Sequence, residues 1–273
     1  MTINCNGLLM DLSTPRVMGI LNLTPDSFHD GGKHSDIDAI LRQTERMLSE
    51  GADIIDIGGM SSKPGSKIIA IDEELDRVIG PIREIHKRFP DAILSIDTVH
   101  ATVAEEAVAH GVSIINDISA GTLDADMIAT VAKLRTPYII MHMQGTPETM
   151  QIAPSYDNVI TEVTSYLAER IQASRIAGIK DIMIDPGFGF GKSNEHNFQL
   201  LKGLSLFKML GCLILAGVSR KSMITKTLGI KNADALNGTT VLNTIALMNG
   251  ANILRVHDVK EAKEAVRLVR EMG

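Results

Sequence analysis

The chain has 273 residues, 44% of them hydrophobic, which is enough to bury one large core, and its formal net charge of -6 without a basic stripe argues against a general nucleic-acid binder. Its two cysteines, Cys5 and Cys212, are too few for a disulfide framework or a thiolate metal site, and they point to a reducing, cytoplasmic setting. Residues 1–11 have no basic n-region or long apolar segment, and no apolar run approaches the roughly 18 residues of a membrane span, so neither export nor membrane insertion is expected.

In chain order, residues 17–22 read as a strand: an apolar run ends in one amide, Asn22, and turns at once into Thr24, Pro25, Asp26 and Ser27. Residues 37–50 carry the helical period through Ile37, Ile40, Leu41, Thr44, Met47 and Leu48, and Gly51 stops them. Residues 53–57 form a second strand that runs into Gly58 and Gly59. The helix expected over residues 71–89 has Asp72, Glu73 and Glu74 in its first turn and Lys87 and Arg88 in its last, which complements the helix dipole.

The same unit then recurs. Strands at 92–97, 112–117 and 137–142 precede helices at 101–110, 125–134 and 156–177. A strand at 181–185 leads into a glycine loop and a helix near Asn197. One at 213–217 leads into helices at 222–228 and 234–249, and a last strand at 251–256 precedes a helix at 259–272. Apolar strands separated by helices call for a parallel sheet covered on its outside, and eight such units in this length favour a single closed (β/α)8 barrel of the TIM type spanning 1–273.

A barrel of this kind places its site at the carboxyl ends of the strands. Asn22, Asp56, Asp97, Asn116, Asp185, Arg255 and His257 all stand there, and period-two alternation gives Ile20 with Asn22, Ser95 with Asp97, Ile114 with Asn116, Met183 with Asp185, and Ile253 with Arg255 and His257 one inward parity. Carboxylates and amides gathered at one end are costly without a polar ligand. Lys63, Arg220, Lys221, Arg255 and His257 cluster after strands two, seven and eight, and the last two loops are the habitual phosphate site of the fold, so a phosphate or diphosphate is expected beside an electron-poor heterocycle. An internal ion-pair network between the acidic and basic sets is the alternative.

Other motifs are weaker. Residues 186–193, Pro-Gly-Phe-Gly-Phe-Gly-Lys-Ser, lack the glycine that Walker spacing requires at Pro186 and read as a glycine-rich barrel loop. His142 has no Glu-x-x-His partner and reads as a satisfied core histidine, while His29, His34, His86, His100, His110 and His196 read as surface residues.

Residues 18–32, Met-Gly-Ile-Leu-Asn-Leu-Thr-Pro-Asp-Ser-Phe-His-Asp-Gly-Gly, resemble the first signature of the dihydropteroate synthases, the sulfonamide-inhibited enzymes of the folate pathway. Asp56-Ile-Gly-Gly59 with Pro64-Gly65, Ser95-Ile-Asp-Thr98, Asp185-Pro-Gly-Phe-Gly-Phe-Gly-Lys192, Ser219-Arg-Lys-Ser222 and Arg255-Val-His257 extend the resemblance along nearly the whole chain. The resemblance implies a homodimeric barrel that joins 6-hydroxymethyl-7,8-dihydropterin diphosphate to 4-aminobenzoate with Mg2+ present. It implies that Asp97, Asn116, Asp185 and Lys221 bind the pterin and that Asn22 holds the magnesium ion. Ser62, Lys63, Arg255 and His257 would join Asn22 in taking the diphosphate, and Pro25, Phe28, Phe190, Arg220 and Ser222 would line the aminobenzoate slot. Asp97, Lys221, Arg255 and His257 would carry the chemistry.

The second loop departs from the family pattern, with Met60 where glutamate is common, Ser62 for threonine and Lys63 for arginine. The lysine keeps the charge and loses the planar fork that grips phosphate. Two other readings stand beside this one: a pterin-binding barrel that passes a methyl group from a folate to a corrinoid protein, and a non-catalytic pterin-binding barrel.

Overall fold

The computed structural model describes residues 1–24 and 33–272. Pro25 and Phe28 lie outside the described residues.

The chain begins with a hairpin. Strands β1 (Thr2–Cys5) and β2 (Leu8–Asp11) pair antiparallel across Asn6-Gly7, and both turn residues have positive φ, 51° and 92°, the combination a two-residue hairpin loop requires. Alternation sends Ile3, Cys5 and Met10 to one face. That face packs with Leu12 against Met18, Ile54, Ile114, Ile139, Met183, Leu215 and Ile253 and closes the amino-terminal end of the barrel. No element was expected at 1–11, although Asn-Gly between apolar pairs is a hairpin signal.

Eight parallel strands form the closed barrel. They are β3 (Arg16–Asn22), β4 (Ile54–Gly58), β5 (Leu94–Asp97), β6 (Ile114–Asp117), β7 (Tyr138–Met141), β8 (Ile182–Asp185), β9 (Leu213–Ala216) and β10 (Ile253–Val256), and β10 closes the ring against β3. Outward-facing Val17, Leu21, Ile55, Ile57, Leu94, Ile96, Ile115, Ile140, Ile184 and Leu254 pack under the helices, each contributing about 1.5–3 kcal/mol when fully buried. Inward-facing residues are apolar at the bottom and polar at the top, the expected parity.

The helices are α1 (Lys33–Ser49), α2 (Ile71–Arg88), α3 (Ala101–Ala109), α4 (Met127–Leu134), α5 (Val159–Ile176), α6 (Asn194–Lys202), α7 (Ser222–Leu228), α8 (Leu236–Met248) and α9 (Val259–Arg270). The fifth helix starts later than its apolar pattern suggested. Asn158 is its N-cap, with Oδ1 accepting from the Thr161 N–H at 3.0 Å, which ends the extended backbone there. A short 3-10 turn at Asn232–Asp234 likewise precedes α8. No described helix is long and apolar enough to cross a membrane.

Candidate active site

Strand register sets the first geometry. Asp97 is level with Gly58 on one side and Asn116 on the other, and Asn22 is level with Gly58 from the opposite neighbour. Gly58 has no side chain to separate them: a Cβ there would lie 3.6 Å from Asp97 Cβ and 3.8 Å from Asn22 Oδ1. Gly217, after β9, opens a similar gap beside Asp185 Oδ2, 3.8 Å from where its Cβ would be. The inward side chains of β3, β5, β6, β8 and β10 thus meet at one mouth, as period two requires.

Arg255 links them. Its Nε donates to Asp56 Oδ2 at 2.6 Å and its Nη2 to Asp97 Oδ2 at 2.6 Å, while Asn116 Nδ2 donates to the same Asp56 oxygen at 3.1 Å. The ion-pair network kept as an alternative in the sequence therefore exists, and it involves the proposed ligand-binding groups themselves. Desolvation pushes the Asp97 carboxyl up, to about 7; Arg255 opposes that shift, and the negative charges of Asp56, Asp117 and Asp185 add to it. Asp185 is raised by burial too, against the pull of Lys221, and its Oδ1 accepts from the Gly187 N–H at 2.7 Å. Its Oδ2 has no hydrogen-bond partner among the described residues.

The glycine loop after β8 is held on four successive carbonyls, each taken by a different side chain: Lys221 Nζ on Phe188, Gln151 Nε2 on Gly189 at 2.8 Å, Lys192 Nζ on Phe190 at 3.0 Å and Tyr156 Oη on Gly191 at 2.7 Å. Gly187 must be glycine, because its φ is +74° and a Cβ would stand 1.9 Å from His142 O. Lys221 crosses this loop with Nζ 4.5 Å from the centre of the Phe190 ring. Burial lowers its ammonium to about 8; Arg255 pushes in the same direction, and Asp185 and Asp97 resist.

Lys192 was not singled out as a site residue in the sequence. Its Nζ lies 2.9 Å from His142 Nδ1, 3.3 Å from His142 O and 3.0 Å from Phe190 O, three acceptors for the three hydrogens of an ammonium. Burial pulls its basicity well below the usual lysine value; the Asp185 charge opposes that shift and the Lys221 charge adds to it. His142 accordingly accepts at Nδ1, and burial plus the Lys192 charge keep it neutral, with a pKa lowered to about 3. It is the satisfied core histidine its isolation suggested. A lysine ending an otherwise glycine and phenylalanine loop was the available signal.

The remaining candidates divide. His257 stands beside Ser219, whose hydroxyl is 3.1 Å from its Nδ1 and accepts from its backbone N–H at 3.2 Å; desolvation and Arg255 lower its imidazole to about 4. Arg220 is held on the last two loops. Its Nε and Nη2 grip Asp258 at 2.9 and 2.7 Å, and its Nη1 donates to the carbonyls of Asn232 and Ala233, so all three nitrogens brace loops seven and eight. Ser222 is exposed at the start of α7, the helix that Lys221 precedes. Ser62 and Lys63 lie on the loop after β4, and neither side chain bonds to the Arg255 cluster.

That loop is fixed at its ends. Arg77 Nη1 donates to Gly59 O at 2.8 Å, Gly65 N donates to Pro147 O at 2.9 Å, and the His100 ring donates through Nε2 to Ile69 O at 3.0 Å. Met60, whose replacement of glutamate had no account in the sequence, is buried with Val99, Ile118 and Met141, and Ile69, Met143 and Phe190 pack on this cluster. A thioether suits that dry position better than a carboxylate would. Beneath Gly59 the Glu74 side chain is 0% exposed, with neither carboxylate oxygen hydrogen-bonded. Desolvation raises it to about 7; the Arg77 charge opposes the shift and the Asp97 charge adds to it.

Comparison with known proteins is consistent along the whole chain. Residues 18–257 match the family described as pterin binding enzyme. The chain is 44% identical to the dihydropteroate synthase of Escherichia coli strain K12 over 275 aligned residues, covering 98% of this chain and 95% of that one. A crystal structure of the Yersinia pestis dihydropteroate synthase with a sulfonamide drug complex superposes with a TM-score of 0.94 at 43% identity, covering 100% of this chain and 99% of that one. The Xanthomonas albilineans dihydropteroate synthase with 4-aminobenzoic acid gives a TM-score of 0.93 at 41% identity, covering 99% and 97%. With a family match from the first barrel strand to the last and identity above 40% across whole chains, this protein belongs to the dihydropteroate synthases of the pterin-binding enzyme family.

Proposed function

We propose that the barrel mouth joins 6-hydroxymethyl-7,8-dihydropterin diphosphate to 4-aminobenzoate, giving 7,8-dihydropteroate and diphosphate. The observation that carries this reading is the meeting of Asn22, Asp97, Asn116, Asp185 and Arg255 at one end of an otherwise apolar barrel interior. Asp185 keeps Oδ2 open for the adjacent N–H groups of a pterin edge, a planar donor pair that a carboxylate matches. Asp97 and Asn116 take the opposite edge, and Lys221, already over the glycine loop, donates to the ring.

Arg255, His257, Ser62 and Lys63 hold the diphosphate oxygens. Their charge and hydrogen bonds stabilise the leaving group as the C–O bond breaks, and Asp97 stabilises the positive charge left on the pterin methylene. The aromatic amine of aminobenzoate then attacks without a strong base. Its ring lies by Phe190, whose carbonyl and neighbours are fixed by Lys192 and Lys221.

Magnesium belongs to this proposal. The Asn22 amide makes no hydrogen bond to a described residue, and no group of three or more His, Cys, Asp or Glu suited to a metal occurs among the described residues. One hard oxygen from the chain, with diphosphate and water completing the shell, fits the small ion's habit of keeping its waters. When bound, the ion would neutralise charge on the departing diphosphate.

A homodimer and a cytoplasmic setting complete the reading. On α8, Val241, Ile245 and Met248 are 50%, 37% and 62% exposed at spacings of four and three, an apolar stripe on one helical face that a second copy would cover. Both cysteines are unpaired and buried, in keeping with a reducing compartment.

The test is a diphosphate-release assay with dihydropterin diphosphate and Mg2+, run with and without 4-aminobenzoate. Release should need aminobenzoate, and Asp185→Ala and Arg255→Ala should each lower turnover by about tenfold or more while the fold persists. Pterin binding without turnover in the unaltered protein would instead favour a non-catalytic or methyl-passing barrel.

A further inference from the structure

Asp56 stands among the site residues and has no part in the reaction as proposed. It is 0% exposed on β4, directly paired in register with Ser95 on β5. Its Oδ2 accepts twice, from Arg255 Nε at 2.6 Å and from Asn116 Nδ2 at 3.1 Å, whereas its Oδ1 is buried and unpartnered. A buried carboxylate ordinarily uses both oxygens. Here one oxygen carries two bonds to two residues of the mouth, and the other is idle.

The guanidinium of Arg255 therefore bridges two unlike carboxylates. Asp56 is sealed inside the barrel on the Nε side; Asp97, on the Nη2 side, adjoins the gap left by Gly58 at the mouth. Nη1 makes no hydrogen bond to a described residue. Holding an arginine by Nε leaves its Nη1 and Nη2 edge as a planar fork, the arrangement that grips phosphate oxygens in pairs.

We infer that Asp56 is a positioning residue for the diphosphate site: it anchors Arg255 through Nε, so that only the Nη edge exchanges between Asp97 in the free protein and diphosphate oxygens in the complex. This rests on the reading of Arg255 as a diphosphate ligand. Arrival of the diphosphate then does two things at once. It takes the Nη edge, and it releases Asp97 Oδ2 for the pterin. Without the anchor, Asp97 is the carboxylate left hydrogen-bonded to Arg255 and competes with the substrate for the whole fork.

The experiment is a double-mutant cycle of Asp56→Asn and Arg255→Ala, read as KM for each substrate and kcat, with circular dichroism and thermal melts as folding controls. Asp56→Asn should raise KM for dihydropterin diphosphate about tenfold, leave KM for 4-aminobenzoate within about twofold, and have little further effect once Arg255 is alanine, because residues acting through one another are not additive. Losses that multiply in the double variant, or a rise in KM for both substrates, would overturn the inference. Arg255→Ala with wild-type kinetics would sink the diphosphate reading itself, a separate result. Should Asp56→Asn fail to fold alone, the comparison is Arg255→Ala against the double variant. A folded double variant with Arg255→Ala kinetics supports the anchor, and one that cannot fold overturns it.

Discussion

Replacing Glu74 by glutamine tests the electrostatics under the second loop. Glu74 is fully buried with both oxygens unpartnered, and its nearest cationic candidate is the His100 ring, whose Nε2 is 3.9 Å away and already donates to Ile69 O. Its pKa is raised from 4.5 to about 7. A carboxyl with a raised folded-state pKa binds its proton more tightly when folded, so its contribution is fully present below pH 4.5 and is lost as pH rises through 7. At ~1.4 kcal/mol per pKa unit, wild-type stability should fall by about 3 kcal/mol from this group between pH 4 and pH 8. Glutamine cannot ionise. The stability difference between Glu74→Gln and wild type should therefore move in favour of the variant by about 3 kcal/mol across that range, whatever constant offset the amide introduces. Urea unfolding at a series of pH values measures it, and the difference cancels every group common to both proteins. A pH-independent difference would refute the reasoning and mean that the carboxylate is hydrated or paired in solution.

Lys192→Met removes the ammonium while keeping the stem, leaving His142 Nδ1, His142 O and Phe190 O without their donor. The expected cost is about 2–3 kcal/mol in urea unfolding, with KM rising for aminobenzoate and not for the pterin substrate; equal rises for both would contradict the placement of Phe190. Gly187→Ala puts a Cβ 1.9 Å from His142 O at φ +74°, so a loss of about 3 kcal/mol or more is expected, and a variant that melts with wild type would show that the loop can rearrange. Val241→Glu places a charge in the apolar stripe of α8 and should convert a dimer to a monomer in analytical ultracentrifugation. An unchanged mass would move the interface elsewhere.

Much of this architecture is local in origin. The alternation of short apolar strands with amphipathic helices is written in the order of residues, and period two fixes which strand-end side chains face inward once a closed barrel is assumed; Asn22, Asp97, Asn116, Asp185 and Arg255 follow from that alone. Asn6-Gly7 carried a hairpin signal of the same local kind, although what the hairpin plugs depends on the barrel floor.

Long-range contacts decided the rest. Arg220 and Arg255 are both basic residues near the carboxyl ends of the last two strands, yet one is committed to Asp258 and two carbonyls while the other bridges Asp56 and Asp97, 199 and 158 positions away. The sequence by itself determined which side chains could reach the mouth, because backbone periodicity is a property of neighbours along the chain. Only the tertiary structure decided which of those charges meet, how far burial moves Asp97, Lys221 and Glu74, and that Lys192 is spent on the loop behind Phe190, because hydrogen bonding and desolvation depend on what the fold brings across the barrel.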